Sequence, residues 1–169
     1  NLVTKSEFAW FKRKTMVRDT TNNLGYFTHS FFNNHKINCN TYFQYILPIL
    51  EKLNSKAVVE VRANLLPSSF FTKVLMYLNR NQTAGEIVST SFFTKGKCDL
   101  HIDNNYNCKS AILYLNTCDG GTEFEYKDKL KFIESEENKI VVFDSNISHR
   151  AITSKNSNFR YIINFNYFT

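Results

Sequence analysis

The sequence has few of the residues that interrupt regular structure, with five glycines and two prolines among 169 residues. It contains no apolar run near the roughly 18 residues that a membrane span needs, and it does not open on an apolar signal segment. The four cysteines form no Cys-x-x-Cys pair, which argues against a zinc finger. We therefore expect a reduced, cytoplasmic protein without a membrane span.

The residues that are abundant are aromatic, with 16 phenylalanines and nine tyrosines. Aromatic and β-branched residues favour strands. An apolar content of 43% over this length is enough for one hydrophobic core. The composition predicts one mainly β domain spanning residues 1–169.

The net charge of +6 suits an acidic partner, and Lys12, Arg13, Lys14 and Arg18 concentrate part of it near the start of the sequence. No signature of an RNA- or DNA-binding module accompanies this charge. A solvated basic face is therefore the preferred interpretation, and nucleic acid stays a weaker candidate partner.

One helix is predicted over residues 40–54, with Asn40 or Thr41 as its N-cap and a kink at Pro48. Five apolar side chains of this segment share one helical face: Tyr42, Ile46, Ile49, Leu50 and Leu53. A second, short helix is predicted near residues 6–14, within a region of loops and early strands.

Short runs typical of strands follow the longer helix. They cover residues 57–66, 86–93, 110–116, 122–126, 130–134, 139–144 and 159–168. The Cys-Asp-Gly-Gly stretch at residues 118–121 is predicted to form a tight turn, because glycine adopts positive φ without steric cost. Closely spaced strands without intervening helices predict an antiparallel sandwich or barrel.

A candidate metal site begins at His101 and Asp103, which are two residues apart. On a strand such residues point to the same face about 7 Å apart, so both side chains can reach one ion. His149 follows another apolar strand and supplies a second imidazole. Two histidines and one carboxylate form the facial triad that leaves coordination positions open on Fe(II).

A candidate anion site lies on the last predicted strand. Its alternation places Arg160, Ile162, Asn164 and Asn166 on one face. An arginine in that setting needs an anion, and its guanidinium matches a carboxylate in bidentate geometry. Arg150 is the rival anion binder, but it neighbours His149 and therefore faces the opposite side of a strand.

The ordered set HID, SAILYLN, DGGTEF, NKIVVFDSNISH and NFRYIINFNY resembles the 2-oxoglutarate, Fe(II)-dependent oxygenases, in particular the prolyl 4-hydroxylase-like branch with many phage and bacterial members. The resemblance covers about residues 57–168. It implies a double-stranded β-helix, a jelly-roll or cupin-like barrel with flanking helices.

The same resemblance implies roles for individual residues. His101, Asp103 and His149 would hold Fe(II), Arg160 would pair with the distal carboxylate of 2-oxoglutarate, and Tyr114 would share that carboxylate. The implied reaction uses O2 to hydroxylate an unactivated C–H bond and releases succinate and CO2, with ascorbate as a candidate supporting reductant. A phage origin would place the protein in the host cytoplasm.

The substrate stays open at this point. Peptidyl prolyl hydroxylases often carry Tyr and Trp at the positions of Cys98 and Asn166, which argues against a collagen-like peptide. Many relatives outside the prolyl branch carry Ser at the position of Ile162. Whether residues 80–100 form a lid is also open. The alternatives are a non-catalytic β-barrel binding module with a retained metal or carboxylate pocket, and a cupin-like metal enzyme that does not use 2-oxoglutarate.

Overall fold

The computed structural model describes residues 2–13, 26–68 and 96–169 and is built mainly from antiparallel strands. The strands are β1 (Phe11–Arg13), β2 (Tyr26–Asn33), β3 (Lys36–Ile37), β4 (Ala57–Pro67), β5 (Lys109–Tyr114), β6 (Cys118–Tyr126), β7 (Lys129–Ser135), β8 (Ile140–Asp144), β9 (His149–Ile152) and β10 (Phe159–Phe168).

The strands form two sheets. The larger has the order β1-β2-β4-β10-β5-β8, with β3 paired to β2, and the smaller has the order β7-β6-β9. The chain crosses to the smaller sheet after β5, returns for β8, crosses again for β9 and returns for β10. This alternation is the double-stranded β-helix, so the predicted fold class is confirmed.

A helical segment covers the outer face of the larger sheet. It begins as a π-helix over Tyr42–Ile46 and continues as the α-helix α1 (Leu47–Lys52). Tyr42, Ile46 and Leu50 are buried against the sheet, as the predicted helical face requires. Thr41 occupies the N-cap position without a side-chain cap hydrogen bond, and Pro48 lies where the wide π turn passes into α1.

Two hydrophobic cores follow from this layering. The outer core lies between the larger sheet and the helical segment and includes Phe31, Val61 and Phe165. The inner core lies between the two sheets and includes Ile112, Tyr114, Phe124 and Phe143. Period-two alternation sends neighbouring residues of one strand into different cores. The inner core is the one that surrounds the candidate site.

The short helix predicted near residues 6–14 is wrong over the part that the structure describes. Leu2–Thr4 forms a single 3-10 turn, and Phe11–Arg13 forms β1, which pairs with the edge of β2. All residues of β1 are exposed, so they offer no apolar face that a helix would bury. Backbone pairing with β2 decides the conformation instead.

The predicted turn at residues 118–121 is also wrong, because these residues open β6 and pair with β7 through an irregular register. The glycines serve close packing. A Cβ atom on Gly121 would lie 2.2 Å from the carbonyl oxygen of Ile133, and one on Gly120 would lie 2.9 Å from that of Ile152. The reversal between β6 and β7 falls at residues 127–128, which both have positive φ.

Three sequence predictions fall wholly or partly outside the described residues: the strand at residues 86–93, most of the candidate lid at residues 80–100, and Lys14 and Arg18 of the basic run. In the described part of the chain, no helix is both long and apolar enough to span a membrane.

Candidate metal centre and anion pocket

Strand pairing brings His101 and His149 together. Their backbones form an isolated antiparallel bridge, in which the His101 N–H donates to the His149 carbonyl at 3.0 Å and the reverse bond measures 2.9 Å. The two imidazole centroids are 4.6 Å apart. The strand β9, which sequence analysis did not predict, starts at His149 and fixes this register.

Asp103 completes the cluster. Its N–H donates to the Ser145 carbonyl at 3.1 Å, and its Oδ1 lies 3.8 Å from Nε2 of His149. One ligand atom from each of the three residues lies within 4.8 Å of the others. No other such group of histidine, cysteine or acidic residues occurs in residues 2–13, 26–68 and 96–169. The structure therefore assembles the three residues that sequence analysis selected.

Backbone carbonyls set the tautomer of both histidines. Nδ1 of His101 lies 3.1 Å from the Asp99 carbonyl oxygen, and Nδ1 of His149 lies 3.0 Å from that of Ile147. A carbonyl oxygen only accepts hydrogen bonds, so Nδ1 carries the proton in each ring. The Nε2 lone pairs are therefore left for a metal, and this arrangement is the usual outer-shell support of a histidine ligand.

The surroundings of the histidines are apolar on the inner side. Phe143 from the larger sheet and Phe124 from the smaller sheet pack against the His149 ring, at 4.9 and 5.9 Å between centroids. Burial, followed by the proximity of His149, lowers the pKa of His101 below its ordinary value. His101 is therefore neutral near pH 7, which is the form that binds a metal.

Arg160 lies in the interior of the barrel with no exposed surface. Its Nη2 donates to the Thr122 hydroxyl at 3.0 Å, and the guanidinium carbon lies 5.3 Å from the centre of the Tyr114 ring. Nε and Nη1 are buried and have no hydrogen-bond partner in the described ranges. Among the described residues no carboxylate pairs with Arg160.

This arginine has the properties of an anion site. Burial lowers its pKa, yet a guanidinium stays charged in proteins, so the interior holds a positive charge that no carboxylate in residues 2–13, 26–68 and 96–169 compensates. Two buried nitrogens without acceptors among the described residues are costly to maintain. A bound carboxylate would neutralise the charge and supply an acceptor to this guanidinium.

Thr122 is the pocket residue that sequence analysis missed. Its hydroxyl accepts hydrogen bonds from Arg160 and from the Tyr114 hydroxyl, both at 3.0 Å, and so retains its own hydrogen for a ligand. The alternation along β6 could have indicated Thr122 from the sequence. Thr122 and Phe124 are buried, whereas Glu123 and Glu125 alternate with them and are more exposed.

Arg150, the rival anion binder, already has a partner. Its Nε donates to Glu123 at 2.6 Å, and the two side chains are 21% and 12% exposed. Arg150 therefore forms an ion pair within the smaller sheet, whereas Nε and Nη1 of Arg160 have no acceptor among the described residues.

No family model and no curated protein matches this sequence. Solved structures do match the fold. A 2OG-Fe(II) oxygenase family oxidoreductase from Burkholderia pseudomallei aligns with a TM-score of 0.61 at 9% identity, over 93% of this chain and 72% of that one. A Trichoplax adhaerens prolyl hydroxylase, in complex with a hypoxia inducible factor peptide fragment, aligns with a TM-score of 0.56 at 16% identity, over 88% and 66%. At these identities the likeness shows a shared double-stranded β-helix.

Proposed function

We propose that this protein is an Fe(II)- and 2-oxoglutarate-dependent dioxygenase that hydroxylates an unactivated C–H bond. The observation that carries the proposal is the buried Arg160, whose Nε and Nη1 have no acceptor and which has no acidic partner among the described residues, in the same barrel as a His-Asp-His cluster. A metal site alone would suit many functions. The added carboxylate site selects a co-substrate that carries a carboxylate at each end.

The donor set fits Fe(II). His101 and His149 offer Nε2 and Asp103 offers a carboxylate oxygen, which together form the facial triad of non-haem iron oxygenases. A structural zinc site would need a fourth protein ligand, and no fourth histidine, cysteine or acidic residue joins the group within the described residues. An incomplete set of protein ligands is what a catalytic site requires.

The pocket around Arg160 fits the distal carboxylate of 2-oxoglutarate. Nε and Nη1 of Arg160 are free to donate, and Thr122 has a hydroxyl hydrogen available because its oxygen already accepts from Tyr114. Tyr114 therefore acts by orienting Thr122 and by placing its ring beside the guanidinium. A guanidinium and a hydroxyl are good partners for one carboxylate.

Bound Fe(II), 2-oxoglutarate and O2 together supply an oxidant able to attack an unactivated C–H bond, with succinate and CO2 as the other products. The protein's residues do the remaining work. Phe124 and Phe143 keep water from the inner side of His149. Arg160 and Thr122 would hold the distal carboxylate and so orient the co-substrate.

A peptidyl residue is the first substrate class to test, with proline as the first candidate, because a prolyl hydroxylase shares the fold. That choice rests on analogy between folds. Cys98 and Asn166 replace the Tyr and Trp frequent in peptidyl prolyl hydroxylases, so free amino acids and other small molecules belong in the same screen.

The test is an anaerobic titration with Fe(II) and then 2-oxoglutarate, followed by the visible metal-to-ligand charge-transfer band. We expect the band in the wild type, its loss in His149→Ala, and a requirement for much more 2-oxoglutarate in Arg160→Ala. Arg150→Ala is the matched control and should keep the wild-type band. A folded wild type that shows no band at saturating ligand would refute the assignment.

Catalysis and simple binding are separated by admitting air to the same samples. An oxygenase slowly converts 2-oxoglutarate to succinate even without its substrate, whereas a non-catalytic binding module would form the band and release no succinate.

A further inference from the structure

The two oxygens of the Asp103 carboxylate have different surroundings. Oδ1 faces the histidines and lies 3.8 Å from Nε2 of His149. Oδ2 turns toward the larger sheet and accepts a hydrogen bond from the Ser110 hydroxyl at 2.6 Å. One oxygen of the carboxylate is therefore held by a hydrogen bond, and the other faces the two histidines.

A second residue of the larger sheet extends this contact. Ser110 on β5 lies opposite Asn166 on β10 in the strand register, and the Ser110 hydroxyl is 2.7 Å from the Asn166 side-chain amide. Both residues are buried, with 1% and 8% of their surface exposed. A serine and an asparagine that share one buried hydrogen bond next to a carboxylate form a connected polar network.

The hydrogen count of this network assigns the Asn166 amide. Ser110 has one hydroxyl hydrogen, and an ionised Asp103 can only accept, so that hydrogen belongs to Asp103. The amide atom next to Ser110 must then be the donor nitrogen. In this orientation Nδ2 of Asn166 lies 2.7 Å from the Ser110 oxygen and 3.2 Å from Oδ2 of Asp103.

We infer that Ser110 and Asn166 are positioning residues that anchor Oδ2 of Asp103, so that Oδ1 alone is offered to the metal. This inference rests on the proposed metal site and deepens it. The Ser110 hydroxyl donates to Oδ2, and Nδ2 of Asn166 supports the same oxygen from 3.2 Å while sharing its two hydrogens with the Ser110 oxygen and the Phe165 carbonyl. These contacts oppose rotation of the carboxylate and binding of a metal through both of its oxygens. A carboxylate that binds through one oxygen occupies a single coordination position on the metal, which leaves more positions open for a co-substrate.

Metal affinity without any co-substrate tests the inference. Co(II) is the probe, and its visible absorption is titrated in the wild type, Ser110→Ala, Asn166→Ala and Ser110→Thr. Loss of an outer-shell partner typically weakens metal affinity about 10- to 100-fold. We expect a loss of that size in both alanine variants and near-wild-type affinity in Ser110→Thr, which keeps the hydroxyl.

The matched control is Ser135→Ala. Ser135 is fully buried, and its hydroxyl donates to the Asn116 carbonyl at 2.9 Å, away from the metal cluster. The substitution Ser135→Ala removes a serine hydroxyl that is as buried as that of Ser110, so it should leave Co(II) affinity unchanged. Circular dichroism of each metal-free variant establishes that the fold is retained, and Asn166→Ala carries the comparison if Ser110→Ala does not fold.

A thermodynamic cycle separates positioning from general support of the fold. If Ser110 acts only through the carboxylate, Ser110→Ala should change Co(II) affinity by less than about twofold in an Asp103→Ala background. An equal loss in both backgrounds would overturn the inference, and so would unchanged affinity in Ser110→Ala and Asn166→Ala. Absence of Co(II) binding by the folded wild type would refute the metal site itself, and the positioning role with it.

Discussion

Replacing Arg160 with methionine should stabilise the ligand-free protein while removing its response to 2-oxoglutarate. Arg160 is fully buried, and two of its nitrogens, Nε and Nη1, have no acceptor in the part of the chain that the structure describes. Methionine fills a similar volume and needs no hydrogen bonds. The substitution therefore removes a buried charge that no described residue of the ligand-free protein compensates.

The magnitude follows from the hydrogen bonds. Removing each buried donor nitrogen that lacks an acceptor should stabilise the folded protein by roughly 1–3 kcal/mol. Loss of the hydrogen bond from Arg160 to Thr122 should destabilise it by roughly 1.5–3 kcal/mol. Thr122 keeps the Tyr114 hydroxyl as a partner, so it is not left unsatisfied. The balance is a stabilisation of about 2 kcal/mol, or a rise in Tm of about 4–8 °C for a chain of this size.

The assay is thermal unfolding of metal-loaded protein without oxygen, with and without 2-oxoglutarate. Co-substrate at about 100 times its Kd should stabilise the wild type by about 2.7 kcal/mol, and Arg160→Met should lose nearly all of that increment. Arg150→Met is the control with the opposite sign. Because it breaks a satisfied ion pair with Glu123, it should destabilise the protein by about 2 kcal/mol and keep the increment.

Two results would refute this reasoning. A fall in Tm for Arg160→Met as large as that for Arg150→Met would mean that Arg160 is a structural residue with satisfied donors. A full 2-oxoglutarate increment in Arg160→Met would mean that the carboxylate binds elsewhere.

Three further outcomes are expected. Gly121→Ala should destabilise the protein by about 3 kcal/mol in urea unfolding, because its Cβ would lie 2.2 Å from the Ile133 carbonyl oxygen; unchanged stability would contradict that packing. Burial lowers the pKa of His101 in the folded protein, so as the pH falls the unfolded chain takes up this proton before the folded protein does. The free energy of unfolding of the metal-free protein should therefore decrease as the pH drops below about 6.5. His101→Gln should flatten that pH dependence, and an unaltered slope would count against it. Tyr114→Phe removes one donor from Thr122 and should weaken 2-oxoglutarate binding about tenfold in the charge-transfer titration while Fe(II) affinity is kept.

Most strands and the inward row that carries Arg160 were predictable because they depend on local backbone geometry, in which side chains two residues apart share a strand face. The strand expected to carry His101 and Asp103 is wrong: His101 forms only an isolated bridge with His149, and Asp103 lies outside any strand. The segments that became β4, β5, β7, β8 and β10 carry β-branched and aromatic residues in runs bounded by polar ones.

The wrong predictions relied on the conformational preference of a short segment, and contacts with other strands decided the conformation instead. The two glycines of the Cys-Asp-Gly-Gly stretch suit a turn, but they lie within β6 because carbonyl groups of neighbouring strands leave no space for a Cβ atom. Residues 11–13 are all exposed, so burial favours no helix there and pairing with β2 decided their conformation.

The sequence by itself determined which residue types are available for chemistry and which of them share a strand face, since alternation is a property of the backbone. Only the tertiary structure decided which faces meet. It places His149 against His101, Thr122 against Arg160 and the Ser110–Asn166 pair against Asp103. These contacts join residues 7 to 56 positions apart, and strand register over such separations is set by burying both sheet faces together, which no local pattern encodes.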